Sequence, residues 1–191
     1  MSKSIFTQRV LAETLKSLLL EKPFCKISIQ EISTKCGITR NAYYYYYKDK
    51  YELLHWIVDY ELKEIVKIYN SDLKITDIYS SIFDHIYNNK KFYYAALDYK
   101  NQNSLYEYFS NLFFDLCYEK LKEECIRQNI LPSSVPINIY TWMIASSMVE
   151  SLRTWHSDLL NAEYKTFIVP VNQYIEQVFD MAIKSHQKEK S

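Results

Sequence analysis

Gly37 is the only glycine in the 191 residues. Glycine enters left-handed and tight-turn backbone without steric cost. A chain with one glycine and four prolines has little from which to build hairpins. An all-α fold follows. The glycine lies inside Ser28–Lys50, SIQEISTKCGITRNAYYYYYKDK, between two short helical patterns. Ahead of it Ile29, Ile32 and Cys36 recur at helical spacing with Ser28 placed as N-cap, while Gln30, Glu31, Thr34 and Lys35 fall on the wet face. Behind it Thr39 is a good N-cap for a second short helix over about 40–46. Helix, tight glycine turn, helix is the form of a helix-turn-helix, here about 28–47.

The second helix divides by phase. Tyr43, Tyr46 and Tyr47 stand at i, i+3 and i+4 and form its expected buried face. Arg40, Asn41 and Tyr44 occupy another face, from which side chains reach outward. Arginine and asparagine match guanine and adenine edges, and a tyrosine hydroxyl reaches phosphate. Lys48 and Lys50 follow, placed to neutralise phosphates beside a groove. The candidate DNA-contacting set is Ser28, Gln30, Thr39, Arg40, Asn41, Tyr44, Tyr45, Lys48 and Lys50, with double-stranded DNA as partner.

These residues resemble the DNA-binding module of the TetR family of bacterial regulators. That family's pattern is an apolar second helix, then Gly, a small apolar residue, Ser or Thr, a variable pair, an aromatic-rich Tyr-x-Tyr/His-Phe and Lys-x-Lys. Here it is Gly37, Ile38, Thr39, Arg40 and Asn41, then Tyr44, Tyr46, Tyr47, Lys48 and Lys50. The likeness covers about 7–69. Two departures stand out: Tyr43 where the family usually has Leu or a similar residue, and Tyr47 for the usual Phe. Each keeps an apolar body and adds a hydroxyl that needs a partner or water. Tyrosine runs and helix-turn-helix shapes also occur away from DNA, but the match continues from Ile29 to Leu54. The resemblance implies a sequence-specific transcriptional regulator, a homodimer on a near-palindromic operator, controlled by a small-molecule effector.

The net charge of zero argues at first against nucleic acid, until the chain is split. Residues 1–50 carry nine Lys/Arg and four Asp/Glu, and the remainder carries 14 basic and 19 acidic residues. A basic head on an acidic body is the asymmetry expected if only the head meets phosphate. The expected domains are accordingly 1–50, the DNA-binding head, and 51–191, a helical body for ligand or partner binding and dimerisation. No apolar run is long enough for a membrane span. Val10–Leu20 contains Glu13 and Lys16 and lacks a small-residue cleavage site, so it is not a signal peptide. Cys25, Cys36, Cys117 and Cys125 show no CxxC spacing. Cys117 and Cys125 would stand about 12 Å apart along one helix, too far for a bridge. Reduced, mostly buried thiols and a cytoplasmic location are expected.

In chain order, residues 1–5 read as a disordered arm and a first helix runs over about 6–20 to Pro23. A fourth helix covers about 49–69 and ends in a break at 70–74. In the resembling family this helix links reader head to regulatory body. A fifth helix spans about 76–87, a short aromatic one about 92–99, and 101–103 is a polar turn. The next runs over 104–128 with Leu105, Phe109, Leu112, Leu116 and Cys117 inward. After a loop at 129–136, an eighth helix over 137–160 is apolar around much of its circumference. Pro170 is expected in the first turn of a last helix ending near 184. In the resembling family the last two helices pair with a partner's. The candidate dimer residues are Trp142, Met143, Ser146, Val149, Glu150, Tyr174 and Val178. Ile144–Trp155 also resembles the C-terminal domain of regulators related to the dihydroxyacetone-kinase operon, without its usual glycines.

No catalytic centre, cofactor or metal site emerges. One glycine cannot make a phosphate loop, and the histidines form no HExxH pair. Glu52 and His55 make one Glu-x-x-His, but a di-iron bundle needs a second. Tyr79, Phe83, Phe109, Phe113 and Trp142 are candidates for an effector pocket, the family's usual device, although rings of this kind are mostly ordinary core. Two other readings stay open: a co-activator of the same fold whose main partner is another protein, and a helical-bundle enzyme.

Overall fold

The computed structural model describes residues 3–68, 73–98, 104–157 and 164–188. Among them there is no strand. The elements are α1 (Lys3–Glu21), a 3-10 turn (Phe24–Lys26), α2 (Ile29–Lys35), α3 (Arg40–Tyr44), α4 (Lys50–Ile68), α5 (Ile75–Asn88) and α6 (Lys90–Leu97). They continue as α7 (Leu105–Arg127), a second 3-10 turn (Pro132–Ser134), α8 (Ile137–Ser157) and α9 (Tyr164–Lys188). Residues 3–5 are helical and not an arm. The expected continuation of the fourth helix to Tyr69, the break at 70–72, the turn at 101–103 and the extension of α8 to Leu160 lie outside the described residues.

The chain divides into two compact units, Met1–Glu64 with Asn88–Leu105, and Ile65–Tyr87 with Tyr106–Ser191. This cut differs from a partition at residue 50. The first unit keeps most of α4 and also takes α6, which packs on α1. Its buried side chains include Leu11, Leu15, Leu18 and Leu19 of α1, Phe24, Ile27, Ile32, and Leu53, Leu54, Ile57 and Val58 of α4. Ile29 and Ile38 are half-buried. Glu61 of α4 is bracketed: it pairs with Lys16 of α1 and accepts from Tyr93 Oη of α6 at 2.9 Å. Lys16 also stands over the Phe92 ring, its Nζ 5.5 Å from the centroid.

In the second unit, Ile78, Ile82 and Ile86 of α5 are buried as the spacing requires. The buried stripe of α7 departs from the expected one only in part: Leu105, Phe109 and Cys117 are buried as expected. Phe109, Phe113, Cys117, Leu121 and Cys125 recur every fourth residue, and Leu112 and Leu116 are only half-buried. A row at i+4 is a natural ridge of an α-helix for packing into a neighbour's groove. α8 packs on α9, and Ile144, Met148, Leu152 and Trp155 of α8 are buried. Pro170 stands well inside α9, which begins six residues earlier at Tyr164, instead of in the first turn. A proline there removes one donor from the helical ladder.

Among the described residues, two helices end in left-handed backbone. α2 closes at Gly37, φ 68°, with Ile38 N–H donating to Ser33 O at 3.0 Å and Gly37 N–H to Thr34 O at 3.1 Å. A Cβ at Gly37 would meet nothing within 4 Å, so the glycine is there for its φ and not for space. α7 closes the same way at Asn129, φ 57°, with Ile130 N–H donating to Cys125 O at 2.8 Å. In a chain without a second glycine, asparagine fills the position that tolerates this conformation next best. All four cysteines are free thiols, and Cys25 is exposed and not buried.

Candidate DNA interface

Local bonds hold the helix-turn-helix in place. Ser28 Oγ accepts from Glu31 N–H at 3.2 Å and caps α2, and Thr39 Oγ1 accepts from Ala42 N–H at 3.1 Å and caps α3. Each bond satisfies one of the donors a helix start leaves open. Tyr43 is fully buried, and its hydroxyl donates to Asp49 O at 2.9 Å. Burial, reinforced by the nearby Asp49 carboxylate, pushes that phenol far above its ordinary range, so it remains a neutral donor. Tyr47 is buried beside it, ring centroids 6.0 Å apart, and Tyr46 is half-buried.

With that face turned inward, the other face of α3 looks out. Arg40, Asn41 and Tyr44 are exposed, and Tyr45 is 82% exposed. Arg40 and Tyr44 act as one unit. The guanidinium donates to Tyr44 Oη from Nε at 3.2 Å and from Nη2 at 2.9 Å, and lies 5.4 Å from the ring centroid. Tyr44 Oη is therefore an acceptor toward Arg40, with its own proton left to donate outward. Gln30 is exposed on α2, its Nε2 donating to Thr34 Oγ1 at 3.1 Å. Ser28 and Thr39 are exposed as well, though both oxygens already serve as caps.

The two lysines after the tyrosine run differ. Lys48 is exposed. Its backbone N–H donates to Glu52 Oε2 at 2.6 Å while Asp49 Oδ1 accepts from Glu52 N–H at 2.8 Å, a variant of the capping box at the start of α4 in which Glu52 reaches back to the residue before the cap. Lys50 Nζ instead donates to Phe24 O and Ile27 O, each at 2.8 Å, and to Cys25 O at 3.3 Å. It stands 4.7 Å from the Phe24 ring centroid. Its charge is occupied in closing the first 3-10 turn, and partial burial lowers its pKa. Nothing in the spacing Lys-x-Lys separates the exposed cation from the clamped one.

In the second unit, four of the five rings proposed for an effector come together. Tyr79 lies 6.0 Å from Phe83 and 5.5 Å from Phe113, and Phe109 stacks on Phe113 at 5.6 Å. All four are fully buried. Tyr79 Oη hydrogen-bonds Ser151 Oγ and donates to Met148 O at 3.3 Å. Trp142 does not join them: it is 65% exposed. Trp155, not singled out for this role, takes that place, 5.7 Å from Phe83. Of the dimer candidates, Trp142, Met143, Ser146, Glu150 and Tyr174 are exposed. Val149 and Val178 are buried within the chain. Exposed Ile139 continues the α8 stripe and Met181 continues that of α9. An open cleft of about 1130 Å³ in this unit was also missed. Lys74 and Thr76, the end of α7 around Lys120–Gln128, and Gln173 to Ile183 of α9 line it. Its residues are distant in sequence and charged, so no periodicity signals it.

A TetR C-terminal family model, described as "Transcriptional regulator C-terminal region", matches residues 74–177. The HTH-type dhaKLM operon transcriptional activator DhaS of Lactococcus lactis subsp. lactis (strain IL1403) is 35% identical over 72 residues, which span 38% of this chain and 38% of that relative. Among solved structures, a dihydroxyacetone kinase operon activator DhaS superposes with a TM-score of 0.54 at 16% identity, covering 96% of this chain and 97% of that one. A TetR-family regulator from Streptomyces coelicolor A3 superposes at 0.61 with 11% identity, covering 94% and 98%.

Proposed function

This chain belongs to the TetR family of transcriptional regulators, and we propose that it reads its operator with the outward face of α3. In this reading a homodimer sets two α3 helices into successive major grooves of a near-palindromic site. Arg40 and Asn41 meet base edges, Tyr44 and Lys48 meet phosphate, and Tyr45, Gln30, Thr39 and Ser28 border the contact. Lys50 is left out of the contact set and kept as the clamp behind it. The observation that carries the reading is the split of one tyrosine run: Tyr43 is fully buried while its neighbours Tyr44 and Tyr45 are exposed. Titration of a labelled fragment of its own upstream DNA tests it. Lys48→Ala should weaken all sequences alike and flatten the log–log salt slope by about 1. Asn41→Ala should relax preference at one base pair. Unchanged salt slope and preference in both variants would remove this face.

The dimer uses the exposed stripes of α8 and α9, with Trp142, Met143, Ser146, Glu150 and Tyr174 at its centre. Large apolar side chains such as Ile139, Trp142 and Met181 stand exposed there, and contiguous patches of that kind usually mark an interface. Ser146→Arg should keep helicity and halve the sedimenting mass; a wild-type monomer at micromolar concentration would refute the assignment. A small-molecule effector acts on the second unit by parting Tyr79, Phe83, Phe109 and Phe113, whose Tyr79–Ser151 pair offers a polar handle inside an apolar site. Binding that favours one head separation shifts operator affinity. The L. lactis relative is a transcriptional activator, which favours activation over repression here, and the protein works with the DNA in the cytoplasm.

A further inference from the structure

Arg40 opens α3, and in a helix-turn-helix the first residues of the second helix are those that meet base edges. Its side chain is already held. Nε and Nη2 both donate to Tyr44 Oη, so one whole side of the planar guanidinium is taken. Among the described residues Arg40 bonds nothing beyond Tyr44. What stays free is the far edge, where Nη1 and Nη2 each present one N–H and the two run parallel. Tyr44 is fixed in its turn. Its ring meets that of Tyr43 edge to face at 5.9 Å, and Tyr43 is fully buried with its hydroxyl on the Asp49 carbonyl. The guanidinium thus takes its orientation from the core of the first unit through two tyrosines, where a lone surface arginine would sample many rotamers.

Two parallel donors of fixed direction fit two adjacent acceptors. In the major groove guanine alone offers them, at O6 and N7. Adenine sets a donor beside N7, thymine one acceptor beside a methyl group, and cytosine a donor. A phosphate also accepts such a fork, but Arg40 stands in the turn of α3 that meets base edges, and the Tyr44 proton and the exposed Lys48 remain for the backbone.

We propose that Tyr44 is a positioning residue for base recognition: it locks Arg40 so that the Nη1–Nη2 edge reads O6 and N7 of one guanine in each half-site, while its own proton goes to a phosphate. The proposal rests on the DNA reading above and adds to it the base that is read and a residue that sets specificity without touching that base. The full chain selects duplexes from a random-sequence pool, and the selected site is then titrated with single-base replacements at fixed salt. One guanine per half-site should be sensitive by about tenfold to 7-deazaguanine, which lacks N7, and tolerant of inosine, which keeps O6 and N7 and loses only a minor-groove amino group. Arg40→Lys keeps the charge and deletes the fork, and should abolish that sensitivity. Tyr44→Phe should shrink it severalfold, beyond the uniform weakening from a lost phosphate bond, and in an Arg40→Lys background should leave only the uniform part. Penalties at the other base pairs should stay as in the wild type. Tyr44→Phe that weakens every sequence alike with the 7-deazaguanine penalty intact, or Arg40→Lys that keeps that penalty, would overturn the proposal and leave the DNA reading standing. A wild-type chain that selects no sequence would overturn both.

Discussion

The reader segment, residues 28–50, and the α7–α9 part of the second unit are held by different physics. In the former nearly every turn of chain has a directional bond from a side chain: the Ser28 and Thr39 caps, Tyr43 to the Asp49 carbonyl, the Asp49–Glu52 box, Lys50 on three carbonyls. In the latter, order comes from rows of apolar residues at i+4 on α7 and from rings that meet edge to face or stacked. Directional bonds fix a position to within a hydrogen-bond length, which the proposed match to base edges requires. Apolar packing fixes volume and leaves room for small shear, which suits the effector response proposed for this unit.

Truncation is the harshest test of that contrast and the one in which the regions should look alike. Tyr43→Ala and Trp155→Ala each empty a fully buried aromatic site and should each cost about 3–5 kcal/mol, read as a lowered melting temperature. The contrast should appear when shape is kept and only the bond is lost. Lys50→Met preserves the stem and deletes the ammonium, and should cost roughly 1.5–3 kcal/mol. In the second unit the volume-conserving Leu121→Met, at a site with no polar partner to lose, should cost less than about 1.5 kcal/mol. Equal costs for that pair would dissolve the distinction. Tyr44→Phe should lower operator affinity by about tenfold or more while leaving the melting temperature nearly unchanged, because Tyr44 is exposed and its bonds from Arg40 lie at the surface. An early melt in Tyr44→Phe with a normal one in Tyr43→Ala would reverse the assigned phase.

The smallest effects come from the two left-handed helix ends. Gly37→Ala forces a Cβ into positive φ and should cost about 1–2 kcal/mol even though space is open. Asn129→Gly at the end of α7 should be neutral or stabilising by less than about 1 kcal/mol. Chemical denaturation of both variants measures the pair.

What was legible in the sequence follows the same line. The caps, the turn at Gly37 and the inward and outward tyrosines involve residues within a few positions of one another, so spacing alone places them. The carbonyls that hold Lys50 lie 23 to 26 residues earlier, so the sequence shows it only as a lysine beside a helix start. The place of α6 on α1 leaves no periodic trace either. On α8 the apolar pattern continues around the helix, and pattern alone cannot say that Trp142 is out while Trp155 is in. Pro170 inside α9 runs against local preference, as tertiary context can allow.

The Lys50 clamp has a mechanical consequence. Its ammonium ties the first turn of α4 to the carbonyls at 24, 25 and 27, just ahead of α2, while the chain between them is the helix-turn-helix itself. The reader is thus a loop fastened at its neck. A pull along α4 reaches both ends of that loop at once, so tension cannot peel α3 away from α2 and tilts the two as a plate. A lever needs such a stiff joint: with the neck cut, the same displacement of α4 would be spent in stretching the turn.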